Sequence, residues 1–353
     1  MKALLVGLGG VGQRHARNLR SILKRIDLIA YRVRGLKHVV TPKLEADATA
    51  DVEESLGIRS FVDLDAALAE KPDITFICNP SSLHVSVAIA CAEAGSDLFI
   101  EKPLSHSIQG VERLIRTVDR TRRVAMVGYQ LRFHPCVIKL ASILASGRLG
   151  HLLSVRVTVG EYLPKWHPYE DYRESYAAKA ALGGGVILTQ IHEFDYLYSL
   201  FGLPSRIFGI GGHWSHLEVD VEDTASILME ASFENRSLPI HIHQDYIQSP
   251  ASRQCEVIGD RGKVILDFPS LNVTIQDFAG AEAVVYSYPD FDRNQLFIDE
   301  VRHFLACVEN RTEPIVNVRD GLQSLRMALA AKESIATGRS VELGARVAEL
   351  ATA

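Results

Sequence analysis

The chain has 353 residues, more than a single hydrophobic core usually organises, so the length predicts two domains. Hydrophobic residues make up 47% and charged residues 23%, which is the composition of a folded globular protein and not of a disordered one. The net charge is −5 and no long basic run occurs, so the composition gives no support to nucleic-acid or anionic-membrane binding.

The cysteines and the hydropathy indicate a cytoplasmic protein. The five cysteines stand without CxxC spacing, which favours reduced thiols in a cytosol over a disulfide framework or a zinc site. The apolar stretch 1–10 runs directly into glycines, so we expect a buried strand there and not a signal peptide. No apolar stretch is long enough to span a bilayer.

The first third of the chain begins with a strand, a glycine loop, a helix and a second strand. Residues 2–7 form a short apolar run, followed by GLGGVG, a helical stretch and the apolar run DLIAYRV. This order is the context that the dinucleotide-binding fingerprint requires. We expect Gly7 to permit the tight turn, Gly9 to admit a pyrophosphate and Gly12 to allow close helix packing, with Gly10 and Val11 between them at the positive end of the helix.

The alternation of strands and helices continues to about residue 130 and predicts a parallel, doubly wound sheet. Ligands of such sheets bind beyond the carboxyl ends of the strands. The candidate cofactor contacts at these strand ends, together with His84 in the helix after Pro80, are Asn79, Pro80, Glu101, Lys102 and Gln130.

The end of the second strand bears on the choice between NAD and NADP. NAD-preferring sites usually carry an acidic residue about 20 residues after the glycines, where it holds the ribose hydroxyls. This chain has Arg32 there, with Arg34 two residues later. A guanidinium can bind a 2′-phosphate, so the sequence favours NADPH, with NADH as the alternative and solvated loop cations as the reading without a ligand.

The rest of the chain predicts a second, α+β domain. Seven apolar or alternating segments between residues 151 and 289 are typical of strands, and the stretches FIDEVRHFLACVENR and GLQSLRMALAAKESIATG of helices, the latter ending at Gly338. We therefore expect a dinucleotide-binding domain over residues 1–125 and a substrate-binding and oligomerisation domain over residues 126–353.

The stretch GGGVILTQIHEFDYL at residues 183–197 places polar residues after three glycines. On one helix, Thr189, His192, Glu193 and Tyr196 would lie opposite an apolar face. The polar face could be solvated, or it could line a cleft, and this stretch alone does not decide between the two.

The sequence resembles the glucose–fructose oxidoreductase/inositol dehydrogenase/rhizopine-catabolism family of NAD(P)-dependent oxidoreductases. The resemblance rests on the stretches GLGGVGQRHARNL, CNPSSLHVSVAIACAEAG, EKP at 101–103, VGYQLRFHP and GGG followed by His, which occur in the family's order along nearly the whole chain. It implies a second domain with a large open, mostly antiparallel sheet whose exposed face pairs subunits into a homodimer or homotetramer. Two further stretches, beginning at Glu161 and His192, resemble the branch associated with bacterial surface-sugar pathways.

The resemblance also assigns catalytic roles. It implies that Lys102 donates to the substrate oxygen and that His192 is the acid–base group, so the polar face of 183–197 would look across a cleft at Lys102. Family members commonly carry Asp where this chain has Thr189, which can bind a sugar hydroxyl but cannot hold a negative charge. Either Glu193 or Asp195 takes over, or Lys102 and His192 act alone. Glu193 is the better placed, and Asp195 is expected to cap the helix or to pair structurally.

The loop before the glycines is rich in aromatic and basic residues suited to a sugar. Candidate substrate contacts, besides Lys102, Thr189 and His192, are Arg132, Tyr162, Trp166, Tyr169, Arg173, Tyr176 and Lys179, with ordinary loop packing as the alternative.

His241, His243 and Asp245 alternate on one strand, which more often marks a polar strand face than a metal site, so we expect no metal.

These features predict an enzyme that transfers a hydride between nicotinamide and a hydroxyl or carbonyl carbon of a sugar, amino-sugar or nucleotide-sugar, in surface-sugar biosynthesis. Two alternatives stay open at this stage. One is transient oxidation that assists glycosidic cleavage, without net cofactor turnover. The other is a cofactor- or sugar-binding protein without catalysis, supported only by Thr189.

Overall fold

The computed structural model describes residues 1–34, 38–41, 45–47 and 49–344. Within them the chain forms a six-stranded parallel sheet and a nine-stranded sheet, with helices packed on both. The predicted two-domain α/β fold is therefore confirmed. Among the described residues, no helix combines the length and the apolar character needed to cross a bilayer.

The first sheet is built from short strands that are almost entirely buried, because helices cover both of its faces. Its strands run in the order β5-β2-β1-β6-β7-β8, and β3 pairs separately with β4. The strands of this half are β1 (Lys2–Val6), β2 (Asp27–Tyr31), β3 (Val39–Val40), β4 (Ala46–Asp47), β5 (Arg59–Phe61), β6 (Ile74–Ile77), β7 (Asp97–Glu101) and β8 (Ala125–Gly128).

Helices alternate with these strands as the sequence predicts. They are α1 (Gly10–Ile22), α2 (Val52–Leu56), α3 (Leu64–Ala69), α4 (His84–Glu93) and α5 (Val111–Thr121), followed by α6 (Pro135–Ala145) between the two sheets. The order of the strands changes direction at β1 and β6, so the loops after these two strands flank the crevice where ligands of doubly wound sheets bind.

The second sheet is mostly antiparallel, with one parallel pair between β9 and β12. Its spatial order is β16-β15-β14-β13-β9-β12-β11-β10-β17, and burial alternates along strands such as β11, so only one face packs on helices. The strands are β9 (Leu152–Gly160), β10 (Arg206–Gly212), β11 (Thr224–Phe233), β12 (Arg236–Asp245), β13 (Ser252–Gly259), β14 (Gly262–Asp267), β15 (Asn272–Asp277), β16 (Val284–Ser287) and β17 (Val341–Glu342).

Four further helices lie in this half of the sequence: α7 (Val186–Thr189), α8 (His192–Phe201), α9 (Arg293–Asn310) and α10 (Val318–Thr337). The last one begins at a capping box between Asn317 and Asp320 and ends at Gly338 with φ +65°, the predicted glycine stop. Six short 3₁₀ turns lie in the described loops. One follows β6, one precedes α6, and four lie between β9 and α7.

Helix α9 follows the second sheet in sequence but packs against the first domain. Val301, Phe304 and Cys307 share a core with Phe76 and Phe99 of the parallel sheet. The boundary predicted after residue 125 falls inside β8, which pairs with β7 in the first sheet. Contacts therefore run across the predicted boundary, and the domain limits of 1–125 and 126–353 remain a prediction.

Candidate active site

The glycine loop after β1 has the geometry of a phosphate cradle. Gly7 has φ +94°, which L side chains rarely adopt, and its amide donates to the Tyr31 carbonyl at 2.9 Å. A Cβ atom on Gly12 would collide with the Gly7 carbonyl oxygen, whereas one on Gly9 would meet no atom within 4 Å. The space in front of Gly9 is therefore open, and this geometry is compatible with a pyrophosphate at the glycine loop.

The loop after β6 forms the other wall of this crevice. A Cβ atom on Gly7 would lie 3.0 Å from the Cys78 carbonyl oxygen, so the two loops touch. The Oδ1 atom of Asn79 is buried and meets no hydrogen-bond partner among the described residues. An orphaned polar atom beside the glycine loop fits a bound polar ligand there.

His84, at the start of α4, lies between the loops after β6 and β7. Its ring is buried, and its two nitrogens each lie 2.8 Å from a backbone carbonyl oxygen, those of Asn79 and Pro103. Burial lowers the pKa of His84, and a neutral imidazole carries one N–H, so it donates to one of the two carbonyls. His84 therefore contacts both loops, and its predicted contact with the cofactor stays a prediction.

Arg32 lies at the end of β2, as predicted, but it is ion-paired. Its Nη1 atom is 3.1 Å from Glu53 Oε1 on α2, and its side chain is only 8% exposed. Its Nη2 atom is 3.5 Å from the carbonyl oxygen of Arg34, whose own side chain is exposed. The end of β2 therefore brings Arg32 and Arg34 together with the Glu53 carboxylate, a group that the sequence alone did not place there.

Lys102 meets the segment after the three glycines through the backbone. Its Nζ atom donates to the carbonyl oxygen of Thr189 at 2.7 Å. The hydroxyl of Thr189 is buried and donates to the Gly185 carbonyl at 2.9 Å, and it also contacts the Tyr246 hydroxyl. The Thr189 side chain predicted to bind a sugar hydroxyl is thus engaged within the protein.

His192 is buried next to Lys102. It is 5% exposed, its ring stands edge-on to the Tyr129 ring at 5.8 Å, and its Nδ1 atom has no hydrogen-bond partner among the described residues. Burial, and then the nearby charges of Lys102, Arg253 and Arg293, lower its pKa well below the ordinary value. The imidazole is therefore neutral at pH 7 and able to accept a proton.

The helix expected over residues 183–197 is interrupted. Helix α7 ends at Thr189 and α8 begins at His192, because Gln190 leaves helical geometry and binds β12. Its backbone carbonyl oxygen accepts from Gln244 Nε2 at 2.7 Å, and its side-chain Nε2 donates to the Asp245 carbonyl at 3.1 Å. Both faces of the segment are buried, so the alternative in which its polar face is solvated is wrong.

Glu193 forms a buried ion pair. Its two oxygens accept from Arg253 Nε and Nη2 at 2.8 and 3.0 Å, and its side chain is 0% exposed. Burial raises the pKa of Glu193, while Arg253 opposes that shift. Both carboxylate oxygens are used by Arg253, which does not fit the predicted exchange of protons with His192 or Lys102.

Arg132 and Asp195 pair in the same way. Arg132 Nε and Nη2 donate to Asp195 at 2.6 and 3.0 Å, and Ser324 donates to the same carboxylate at 3.2 Å. Asp195 is thus paired structurally, as the sequence predicts. This pairing occupies two donors of Arg132, which the sequence analysis assigned to the substrate cleft.

The aromatic loop spans residues 161–185 and its members differ in their surroundings. Tyr162, Trp166 and Tyr176 are half-buried against the core, and the Trp166 Nε1 atom is buried without a described hydrogen-bond partner. Arg173 pairs with Asp171 and Glu218 at the surface, and Lys179 pairs with Glu174. These acidic partners neutralise the two cations predicted to hold a substrate anion.

A buried cluster beneath the active site was missed at the sequence level. His15 Nε2 lies 2.6 Å from Glu101 Oε1, so the Glu101 carboxylate faces α1 and not the crevice predicted for it. Both oxygens of Glu300 are buried without a described hydrogen-bond partner, and ligand atoms of the three residues lie within 4.8 Å of one another. Glu300 could have been found, since it lies on the apolar stripe of α9 with Phe297, Val301 and Phe304.

His243 of β12 hydrogen-bonds to polar side chains on the open face of the sheet. His243 Nδ1 is 2.9 Å from Ser226 Oγ, and its Nε2 is 3.2 Å from Asp245 Oδ2. Asp245 also accepts from Gln248 at 2.5 Å. His243 and Asp245 therefore form hydrogen bonds with neighbouring side chains of the sheet and the following loop.

A glycine loop at the point where the strand order of a parallel sheet reverses, followed by a second, mostly antiparallel sheet, is the architecture of a dinucleotide-dependent oxidoreductase. The chain belongs to the glucose–fructose oxidoreductase/inositol dehydrogenase/rhizopine-catabolism family. Residues 1–129 match the family's NAD-binding Rossmann fold, and residues 141–343 match its C-terminal alpha/beta domain.

Similar proteins span nearly the full length of the chain. The myo-inositol 2-dehydrogenase of Thermotoga maritima is 27% identical over 353 residues, covering 97% of this chain and 98% of its own. The NADP(+) D-xylose 1-dehydrogenase of Haloarcula marismortui is 22% identical, covering 84% and 82%. The WlbA dehydrogenase of Bordetella pertussis, solved with NADH and UDP-GlcNAcA, has a TM-score of 0.78 at 23% identity, covering 97% and 98%, and shows the shared fold.

Proposed function

We propose that the protein transfers a hydride between a nicotinamide cofactor and a hydroxyl or carbonyl carbon of a sugar, amino-sugar or nucleotide-sugar. The observation that carries the proposal is the meeting of Lys102, from the end of β7, with Thr189 and His192 from the second domain. The bound nicotinamide supplies or accepts the hydride. The other chemical tasks, the handling of the hydroxyl proton and of the charge on oxygen, fall to side chains of this chain.

Lys102 and His192 divide these tasks. The Lys102 ammonium has two donors left besides the one to the Thr189 carbonyl, and these can hold the substrate oxygen as alkoxide charge develops on it. The neutral imidazole of His192 accepts the hydroxyl proton in the oxidative direction and returns it in reduction. Glu193 has a positioning role through Arg253, whose charge helps to keep His192 neutral.

We propose NADPH as the preferred cofactor. The support is the pair Arg32 and Arg34 at the end of β2, where two guanidinium groups can surround a 2′-phosphate. Glu53 is the competing group, because its carboxylate could accept from ribose hydroxyls and would repel a phosphate. The similar proteins include NAD and NADP enzymes, so the preference rests on these residues.

Cofactor titrations decide the preference. Arg32→Ala should weaken NADPH binding roughly 10- to 100-fold, the range for one charge-assisted contact, and leave NADH binding within about threefold. Glu53→Gln should shift the NADPH-to-NADH ratio toward NADPH. Tighter binding of NADH than of NADPH by the unchanged protein contradicts the proposal.

The substrate would lie against the aromatic loop. Tyr162 and Trp166 offer ring faces for the apolar side of a sugar, and the buried Trp166 Nε1 proton has no described hydrogen-bond partner. The relatives named for inositol and xylose support a polyol or sugar, and the solved complex with UDP-GlcNAcA supports a nucleotide-sugar. A role in surface-sugar biosynthesis rests on the stretches that begin at Glu161 and His192.

We also propose a cytoplasmic homo-oligomer, a dimer or a tetramer. The open face of the second sheet exposes Ile210 and Leu228, each more than half exposed, which is typical of a surface that pairs with a second copy. The five free cysteines suit a reducing compartment. Light scattering of the purified protein measures the state, and a monomer at micromolar concentration contradicts an oligomer.

The activity is tested by a mass-spectrometric screen of sugars and nucleotide-sugars that consume NADPH or NADP. His192→Ala should lower kcat roughly 10²- to 10⁴-fold with cofactor affinity retained, and Arg116→Gln, on the exposed side of α5, serves as a control. Unchanged turnover in His192→Ala contradicts the catalytic assignment. Bond cleavage without net cofactor consumption would indicate the glycosidase, and tight NADPH binding without hydride transfer a binding protein.

A further inference from the structure

The aromatic loop of the second domain reaches the start of the glycine-loop helix. A Cβ atom on Gly10, the first residue of α1, would lie 2.6 Å from the Tyr169 hydroxyl oxygen. The Tyr169 ring stacks on His167 at 5.1 Å and lies 6.2 Å from His38. The described residues give this hydroxyl no hydrogen-bond partner, although it stands where α1 presents its first amides.

Arg14 lies one turn after Gly10, on the same face of α1. Its guanidinium carbon is 4.3 Å from the centre of the Phe297 ring on α9, and it is half-buried. No carboxylate of the described residues forms an ion pair with it. Burial and the neighbouring charge of Arg293 lower its pKa, so the protein itself leaves this cation only partly compensated.

Arg293 brings a third donor group to the same place. It is the first residue of α9, exposed, and without a hydrogen bond or ion pair to the described residues. The next residue, Asn294, fixes α9 to α1 through reciprocal amide bonds with Asn18 at 3.0 and 3.5 Å. The contact between the two helices therefore holds two guanidinium groups near each other at an open crevice.

We propose that Tyr169, Arg14 and Arg293 clamp the pyrophosphate of the dinucleotide against the α1 N-terminus. The inference rests on the proposed use of a dinucleotide and goes beyond the glycine loop, because Tyr169 and Arg293 come from the second half of the chain. The pyrophosphate is the anion favoured, since Gly10 and the open space at Gly9 are where the helix amides would receive it. The two guanidinium groups have no ion-pair partner, and the hydroxyl has no hydrogen-bond partner, among the described residues. A phosphate group can accept hydrogen bonds from all three.

The clamp links cofactor binding to the substrate side of the cleft. Tyr169 lies in the same loop as Tyr162 and Trp166, the proposed sugar contacts. Cofactor phosphates that bind Tyr169 would therefore hold this loop in place before the sugar enters. We expect the dinucleotide to bind first and the sugar second.

The test is a set of binding titrations with NADH, NADPH and ADP-ribose, which shares only the adenosine, the pyrophosphate and one ribose with the redox cofactor. Tyr169→Phe, Arg14→Met and Arg293→Gln should each weaken binding of all three ligands roughly tenfold, because each variant loses a charge-assisted hydrogen bond. The salt dependence of binding should also become shallower in the two arginine variants. Tyr172→Phe in the same loop and Arg113→Gln on α5 are the matched controls, with affinities unchanged.

The outcomes separate the clamp from the function. Wild-type affinity for ADP-ribose in all three variants overturns the clamp and leaves the oxidoreductase standing. A loss confined to NADPH would assign the arginines to the 2′-phosphate, and a loss confined to the KM of an anionic sugar would assign them to the substrate; both overturn the clamp. A wild-type protein that binds neither NADH nor ADP-ribose refutes the proposed function itself. Tyr169→Phe keeps the test valid should an arginine variant fail to fold.

Discussion

Lys102 contacts Thr189 through the threonine's backbone carbonyl, at 2.7 Å, and not through its side chain. The Thr189 hydroxyl is instead shared between Gly185 and Tyr246. Thr189, where the resemblance implies an Asp, therefore offers no carboxylate but keeps a backbone contact that orients the lysine. A backbone carbonyl cannot titrate, so this acceptor stays available to Lys102 at every pH.

Thr189→Val should separate the two roles of this residue. We expect kcat to stay within about fivefold, because the carbonyl remains, and stability to fall by about 1–3 kcal/mol, because the buried Tyr246 hydroxyl loses a partner. Lys102→Met should lower kcat roughly 10²- to 10⁴-fold at unchanged stability. Urea unfolding and steady-state kinetics measure both, and a hundredfold loss of turnover in Thr189→Val would return the side chain to catalysis.

The pH dependence of turnover should reflect the neutral imidazole of His192. Its pKa lies well below 6.5 in the folded protein, lowered by burial and by the charges of Lys102, Arg253 and Arg293. The base form therefore persists as the pH falls through 6.5, where an ordinary histidine would already be protonated. We expect kcat/KM in the oxidative direction to show no acid limb near pH 6.5, and a limb centred there contradicts this prediction.

The same pKa shift makes His192 a source of acid sensitivity in folding. The unfolded chain binds a proton below pH 6.5 that the folded chain does not, so stability is full above 6.5 and falls as the pH decreases toward the folded pKa. His192→Gln should remove up to about 1.4 kcal/mol of this loss per pH unit. Urea unfolding between pH 5 and 8 measures it, with the exposed His151→Gln as control; identical slopes in His192→Gln and wild type would refute it.

Glu193 and Arg253 should behave as a buried pair. Glu193→Gln leaves the Arg253 charge without its partner and should cost about 3–5 kcal/mol, while the double variant with Arg253→Met should recover part of that loss. If Glu193 were a general base, turnover would instead fall roughly a hundredfold or more at nearly unchanged stability. A double-mutant cycle of unfolding free energies, with kcat measured on the folded variants, distinguishes the two.

The features that the sequence predicts well are local. The glycine loop could be recognised because its turn, its open approach and its helix packing involve residues only five apart, from Gly7 to Gly12. The alternation of strands and helices likewise depends on periodicity within each segment. Lys102 and His192 could be brought together only through the family resemblance.

What the sequence does not predict depends on distant partners. The break between α7 and α8 arises from hydrogen bonds that Gln190 forms with Gln244 and Asp245 of β12. These two residues lie 54 and 55 positions further along the chain. The role of Glu193 is decided by Arg253, which lies 60 positions further along the chain. A helical wheel places such residues on a face but contains no information about the strand that will cover it.

Glu300 should be protonated at neutral pH, and its replacement should show this. Burial, followed by the charge of Glu101, raises its pKa well above 4.5, while Arg14 opposes the shift; His15 and Cys78 are the other titratable groups beside this cluster. The folded chain then holds a proton that the unfolded chain releases, so stability is full below about pH 4.3 and decreases as the pH rises toward the folded pKa. Glu300→Gln mimics the protonated form and should remove this decrease.

The expected result is a variant that is more stable than wild type at pH 8–9, by up to about 1.4 kcal/mol for each pH unit between the unfolded and folded pKa values that has been crossed, and nearly equal to it at about pH 4. Chemical unfolding across this range measures the difference. Glu309→Gln, near the exposed end of the same helix, is the control and should follow the wild-type curve. A Glu300→Gln protein that is destabilised at every pH would show that a charged Glu300, held by a cation or by Arg14, supports the fold. That outcome would contradict the prediction that Glu300 is protonated at neutral pH.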